Sequence, residues 1–251
     1  MWTDEDAAII EPRKGKGEVS LPSAALFVFT PQDVKLFLKG FPQPLLQQRR
    51  YYLVDVYRAV HRGCPITLAG PAIGAPQAVM VMEKLFVLGV TDVLAIGWCG
   101  SLQPDVRIGD VVLPVSAISE EGTSRHYPVD VPEPGPSPRL LDPFESILGD
   151  MDVGVHRGKV WSIDAPFREM KRKVFKYRSE GILAVDMETS ALFALAHFRG
   201  VRLAVALVVS DDLSTLKWHH GFRDPGFQKT RERLAEAALE FMCSVSGTGN
   251  R

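Results

Sequence analysis

The chain has 251 residues, of which 46% are hydrophobic and 24% charged, with a formal net charge of −1. That composition suits a soluble globular chain large enough to bury its own core. It offers no global field for recruiting nucleic acid or an anionic membrane, so neither is an expected partner.

Residues 1–22 are polar and punctuated by Pro12, Gly15, Gly17 and Pro22, which reads as a flexible arm. Residues 1–20 lack the apolar run of a secretory leader, and no apolar run in the chain reaches membrane-span length. A single domain is expected over 23–246, with a short tail at 247–251. "AALFVF" (24–29) is a buried-strand run, and Thr30 and Pro31 open a helix as N-cap and first helical residue. "RYYLVDVYRAV" (50–60) partly alternates, and "PITLAG" (65–70) is a short strand ending at a glycine. The spacing predicts a helix over 75–89, closed by Gly89. "DVLAIG" (92–97) is apolar on both faces, as interior parallel strands are. After it, Gly97–Ser101 reads as a tight loop that nonetheless contains the bulky Trp98.

A strand at 110–119 leads into the polar loop 120–128, and the proline-rich 128–143 reads as an irregular surface connection. A strand follows at 159–163. An amphipathic helix is predicted over 167–181, closed by Gly181, with "KRK" (171–173) on its solvated face. Then come a strand (182–187), a helix (188–200), the clearest interior strand (201–210) and a terminal helix (225–245). Strands alternating with helices predict one α/β domain on a largely parallel or mixed sheet. Three cysteines, Cys64, Cys99 and Cys243, are widely spaced and form no CxxC. The expectation is therefore no disulfide, no zinc site and a reducing, cytoplasmic setting.

In such sheets ligands gather beyond the carboxyl ends of the strands. That rule singles out Gly97–Ser101, the 120–128 loop, Asp186–Glu188 and Ser210–Asp212. Asp211 and Asp212 are adjacent carboxylates, and repulsion with burial would leave one of them protonated as a general acid. Capping of a turn is the commoner use of Ser and Asp at such a place. Glu188 can accept hydrogen bonds from vicinal sugar hydroxyls with Met187 against the ring, or it can simply complement a helix dipole. "LAGPAIGAP" (68–76) is neither a dinucleotide fingerprint nor a P-loop, although amides at its helix start suit an anion. His126 is either a pocket residue or a plain loop residue. His219 and His220 lack metal-ligand spacing, and no metal is expected.

Three segments together, "GWCGSLQPDVRIGDVVLP" (97–114), "EEGTSRHYP" (120–128) and "GILAVDMETSALFALA…VVSDD" (181–212), resemble the nucleoside phosphorylases of the purine nucleoside and uridine phosphorylase type. The resemblance runs from about Pro65 to the terminal helix and includes related nucleosidases. It implies one α/β domain with a mixed, barrel-like central sheet flanked by helices. It also implies a homo-oligomer built from dimers, hexameric in the phosphorylases, and a place in nucleoside salvage. The implied reaction is cleavage of the N-glycosidic bond of a nucleoside, with phosphate as co-substrate or water in its place, and no organic cofactor.

By that resemblance Glu188 binds the ribose hydroxyls, Met187 lies beneath the sugar, and Asp211 protonates or hydrogen-bonds the departing base. Phe167, Arg168 and Asp186 fall in the base-pocket segments. Gly97, Trp98, Cys99 and Gly100 form the anion region, where Arg49 or Arg50 would supply an arginine across a dimer interface. The chain departs from the pattern there: Ala95 and Trp98 stand where the phosphorylases carry an arginine and a small hydroxyl residue. "FTPQDVKLF" (29–37) replaces their Gly-Asp-Pro segment. Three readings follow: a phosphorylase with an atypical phosphate site, purine favoured over uridine; a hydrolytic nucleosidase; and a catalytically weak nucleoside-binding or assembly protein.

Overall fold

The structure, a computed structural model, describes residues 7–41 and 46–248; the first six residues of the expected arm and the last three of the tail lie outside the described residues. Among the described residues there are ten strands: β1 (Ala24–Val28), β2 (Leu46–Tyr51), β3 (Val54–His61), β4 (Cys64–Gly70), β5 (Asp92–Ser101), β6 (Val111–Glu120), β7 (Val155–Ile163), β8 (Ala184–Asp186), β9 (Arg202–Asp212) and β10 (His219–His220). The helices are α1 (Pro31–Lys39), α2 (Ala75–Val87), α3 (Pro138–Gly149), α4 (Lys171–Ser179), α5 (Thr189–Arg199) and α6 (Pro225–Thr248).

The strands form one sheet in the order β10-β9-β6-β7-β8-β5-β1-β4-β3-β2, and a further pairing of β9 with β5 closes five of them into a ring. Strand β5 runs parallel to both β1 and β9, in register from Ala24–Asp92 and Asp92–Arg202 onward. Small and β-branched residues on both faces of these strands allow them to be fully buried, which is why they read as continuous apolar runs. One face packs on α2 and α5 around Phe27, Met82 and Phe193. The other packs on α1, α3 and α6 around Phe37, Phe144 and Phe227.

Local signals explain most of the elements. Thr30 caps α1 by accepting the Asp33 N–H at 3.2 Å, with Pro31 at the first helical position. Gly200 ends α5 in the left-handed conformation. Residues 50–60 are two strands of a hairpin whose turn, Tyr52–Leu53, takes positive φ at both residues.

Several boundaries correct the sequence reading. Gly97–Ser101 is not a loop: β5 continues to Ser101 because β9 pairs along its whole length and β8 pairs with its end. The irregular connection stops before Pro138, where α3 begins; proline costs nothing in the first turn, and α3 buries Leu140, Leu141, Phe144 and Leu148. The 167–181 helix starts only at Lys171, after a 3-10 turn at Pro166–Arg168. The largest correction concerns the cysteines. Cys64 and Cys243 are disulfide-bonded across 179 residues, with Cα atoms 5.3 Å apart, and only Cys99 is a free, buried thiol. The argument from cysteine spacing to a reducing compartment therefore lapses. Among the described residues no helix is long and apolar enough to cross a membrane.

Candidate active site

The ends of β1, β5, β8 and β9, with the segment after β7, enclose a cavity of about 810 Å³. Its floor depends on glycine at two places. A Cβ on Gly97 would lie 2.1 Å from the Phe29 ring. At Gly100 the β5–β9 register slips by one residue, which sets Gly100 opposite Asp211; a Cβ there would approach Asp211 Oδ2 to 3.1 Å and Leu213 to 2.6 Å. The bulge thus aims Asp211 into the cavity.

Asp186, Met187 and Glu188 line the same cavity from the β8–α5 junction. Asp186 is committed to architecture: its Oδ1 accepts from Ser162 Oγ at 2.5 Å, and its Oδ2 accepts the Thr189 N–H at 2.8 Å, which ties down the start of α5. Glu188 accepts the Gly74 N–H through Oε1 at 2.5 Å. The anion held by the 68–76 glycine loop is therefore this chain's own carboxylate. Burial, and next the charge of Asp186, push the Glu188 carboxyl up to about 8; burial also raises Asp186.

Asp211 accepts hydrogen bonds on both oxygens, from Ser210 Oγ at 2.6 Å and from Trp218 Nε1 at 2.9 Å. Asp212 accepts the Ser214 N–H at 2.6 Å, so it caps the turn that leads into β10. The sequence reading sought a retained proton on this pair. Besides Asp186 and Glu188, burial raises Glu169, which also lines the cavity. Desolvation, then the charge of Asp211, lift Glu169 to about 7.

The anion end answers the puzzle of Trp98. Its indole N–H donates to Asp33 Oδ2 at 2.6 Å, and its ring meets Phe227 edge-on at 5.2 Å. Arg231 lies 5.0 Å over the Trp98 ring and binds Asp33 Oδ1 at 2.6 Å, with both side chains buried. Thr30 Oγ1 also donates to Asp33, at 2.9 Å. The Asp33 carboxylate stands behind this corner and takes donors from Trp98, Thr30 and Arg231.

Phe167, Trp98, Cys99 and Gly100 border the cavity, while Gly97 lies just behind its lining and Arg168 is exposed outside it. Burial drives the Cys99 thiol well above its usual range. His126 sits in a 3-10 turn bordering a separate groove beneath the arm, so the 120–128 loop does not reach this cavity. Arg50 pairs with Asp55 at 2.7 Å, and Arg49 contacts the Gly17 carbonyl at 3.4 Å; neither borders the cavity of this chain. His219 and His220 form β10, antiparallel to the end of β9.

Sequence reasoning missed Asp33, Arg231, Glu169 and Trp218. Asp33 and Arg231 stand 198 residues apart in two helices, so no local pattern pairs them. Glu169 was hidden inside a helix assigned four residues too early. Its one legible signal was a lone acid amid the basic run 168–173.

The family model of the phosphorylase superfamily matches residues 23–245. A guanosine phosphorylase of Halorubrum lacusprofundi is 34% identical over 168 residues, which cover 66% of this chain and 68% of the relative. A DeoD-type purine nucleoside phosphorylase of Bacillus cereus is 30% identical over 161 residues, 63% of this chain and 68% of that protein. In fold, the chain is similar to uridine phosphorylase from Vibrio fischeri (TM-score 0.81, 23% identity, covering 94% of this chain and 99% of that one). It is equally similar to purine nucleoside phosphorylase from Toxoplasma gondii solved with immucillin-H (TM-score 0.81, 19% identity, 96% and 98% covered). With these matches, the mixed sheet closed into a ring and the cavity at its strand ends, the chain belongs to the phosphorylase superfamily, among the purine nucleoside and uridine phosphorylases.

Proposed function

We propose that the protein cleaves the N-glycosidic bond of a purine nucleoside in this cavity. One observation carries the reading: Glu188 and Asp211, from strand ends remote in sequence, line the same cavity, and Met187 lines it too. Glu188 engages the ribose hydroxyls, Met187 lies against the sugar, and Asp211 faces the base. Cleavage builds positive charge on the ribose and negative charge on the base, so an acidic group at the base end and an electron-rich nucleophile below the sugar both lower the barrier. Purine is favoured because Asp211 suits the ring nitrogen of a departing purine, whereas a pyrimidine pocket wants an amide and an arginine together.

A second reading, hydrolysis by water, is favoured by the anion end. Phosphate binding asks for unengaged cationic donors. Here the Arg231 guanidinium is bound to Asp33, and the carboxylate itself would repel a dianion. Water meets neither obstacle.

The test is a panel of nucleosides assayed for free base with and without phosphate. Base release that needs no phosphate assigns hydrolysis, and phosphate-dependent release assigns phosphorolysis. A nucleoside that raises the melting temperature without any base release would make the protein a binder and end the catalytic reading.

A further inference from the structure

A carboxyl that is to meet one atom of a purine needs a fixed plane. Aspartate alone does not have one, because its terminal torsion is broad and roughly two-fold. At Asp211 two donors pin that torsion. The Ser210 hydroxyl donates to Oδ1 at 2.6 Å and also contacts the Cys99 carbonyl at 3.2 Å, which ties it to β5. The Trp218 indole N–H donates to Oδ2 at 2.9 Å from the rim of the cavity.

The strand register explains how a rim indole reaches this carboxyl. β10 returns antiparallel along the end of β9 and sets His220 opposite Asp211. Side chains alternate along an extended chain, so Trp218 shares the face of His220 and lies one diagonal step from Asp211, within reach of a long side chain. Its ring is braced by His220 at 5.3 Å and by Phe222 at 6.2 Å, and Phe222 in turn lies 6.0 Å from Trp98. The turn behind it is fixed at Gly221, whose N–H donates to the Ser210 carbonyl at 2.7 Å and where a Cβ would meet Ile108 at 2.3 Å. Trp218 is nevertheless 60% exposed, so burial does little to hold it in place. Its one polar contact is with Asp211.

We propose that Trp218 is a positioning residue for cleavage: its indole N–H holds Asp211 Oδ2 so that the carboxyl presents one fixed edge to the purine. The inference rests on the nucleoside-cleavage reading given above, in which Asp211 faces the base. Trp218 acts on the base through Asp211. The bond that breaks remains the glycosidic bond, and no proton leaves the indole.

Trp218→Phe keeps an aromatic ring at the rim and removes the N–H. The experiment compares guanosine with 7-methylguanosine, whose ring is already cationic and leaves without protonation. In the variant, kcat on guanosine is expected to fall by about 10–100-fold with little change in KM, the cost of misplacing a reacting group by a fraction of its own size. The ratio of guanosine to 7-methylguanosine turnover should fall by the same factor, and turnover of the methylated nucleoside shows that the variant is folded. In an Asp211→Asn background the same change at Trp218 should cost nothing further, since the group it positions is gone. A raised KM with kcat held, or equal losses on both nucleosides, would make Trp218 a mere wall of the cavity and overturn the proposal. So would unchanged guanosine turnover, or a full further loss in the Asp211→Asn background. If the wild-type protein cleaves neither nucleoside, the cleavage reading itself fails and takes this assignment with it. If it cleaves both, only the role of Trp218 is at stake.

Discussion

Glu188 shows how one buried cavity side chain links protonation to stability. Its carboxyl is raised to about 8 in the folded protein, whereas in an unfolded chain it titrates near its ordinary 4.5. Between those values the unfolded chain releases a proton that the native state keeps, so stability falls as pH rises from about 4.5 to 8 and levels off above. Glu188→Gln keeps an acceptor for the Gly74 N–H and removes the ionisation. It is expected to flatten that fall and gain on the order of 2 kcal/mol at pH 8, read from urea melts at pH 5 and pH 8, while weakening nucleoside binding. At this scale the sequence was partly legible. Glu188, Met187 and Asp211, which line one cavity, stood out because each lies at or just past the end of an apolar run. Glu169 did not, because a short acid after a turn carries no periodicity.

Among the elements, α1 and α6 build the corner behind Trp98, and Pro31 and Gln32 of α1 line the cavity itself. They bring Asp33 and Arg231 together beneath Trp98, and the pair is almost wholly buried. Removing one partner strands a charge away from water. Asp33→Ala is therefore expected to cost about 3–5 kcal/mol in chemical denaturation, whereas replacing Asp33 and Arg231 together by Leu and Met should be close to neutral. A single variant no worse than the double would show that the pair does not act as a unit. Helices and interior strands were readable from capping residues and apolar runs, as Thr30–Pro31 and 201–210 show. What escaped were features set by partners: β5 outlasts its glycines because β9 holds it, and α3 emerges from a proline-rich stretch because Leu140, Leu141 and Phe144 have a core to enter.

For the whole molecule, the Cys64–Cys243 bond joins the start of β4 to the terminal helix and closes a loop over most of the chain. Cross-links of this kind restrict the unfolded ensemble. Cys64→Ser, or reduction of the wild-type protein, is expected to lower unfolding stability by about 2–4 kcal/mol without altering catalysis, measured by denaturant titration and turnover on one sample. An equal midpoint with and without reductant would show the bond contributes nothing. No spacing rule reveals such a pair, since only the fold brings residues 179 apart within reach.

The ring made by β5, β9, β6, β7 and β8 has a consequence for where this cavity can change shape. A closed band of backbone hydrogen bonds cannot widen on one side without loosening the other, so the chamber's base is a fixed fixture. Novelty in diet must come from its rim, and the stretches 166–169 and 213–222 are the parts that can be rewritten while the band stays as it is.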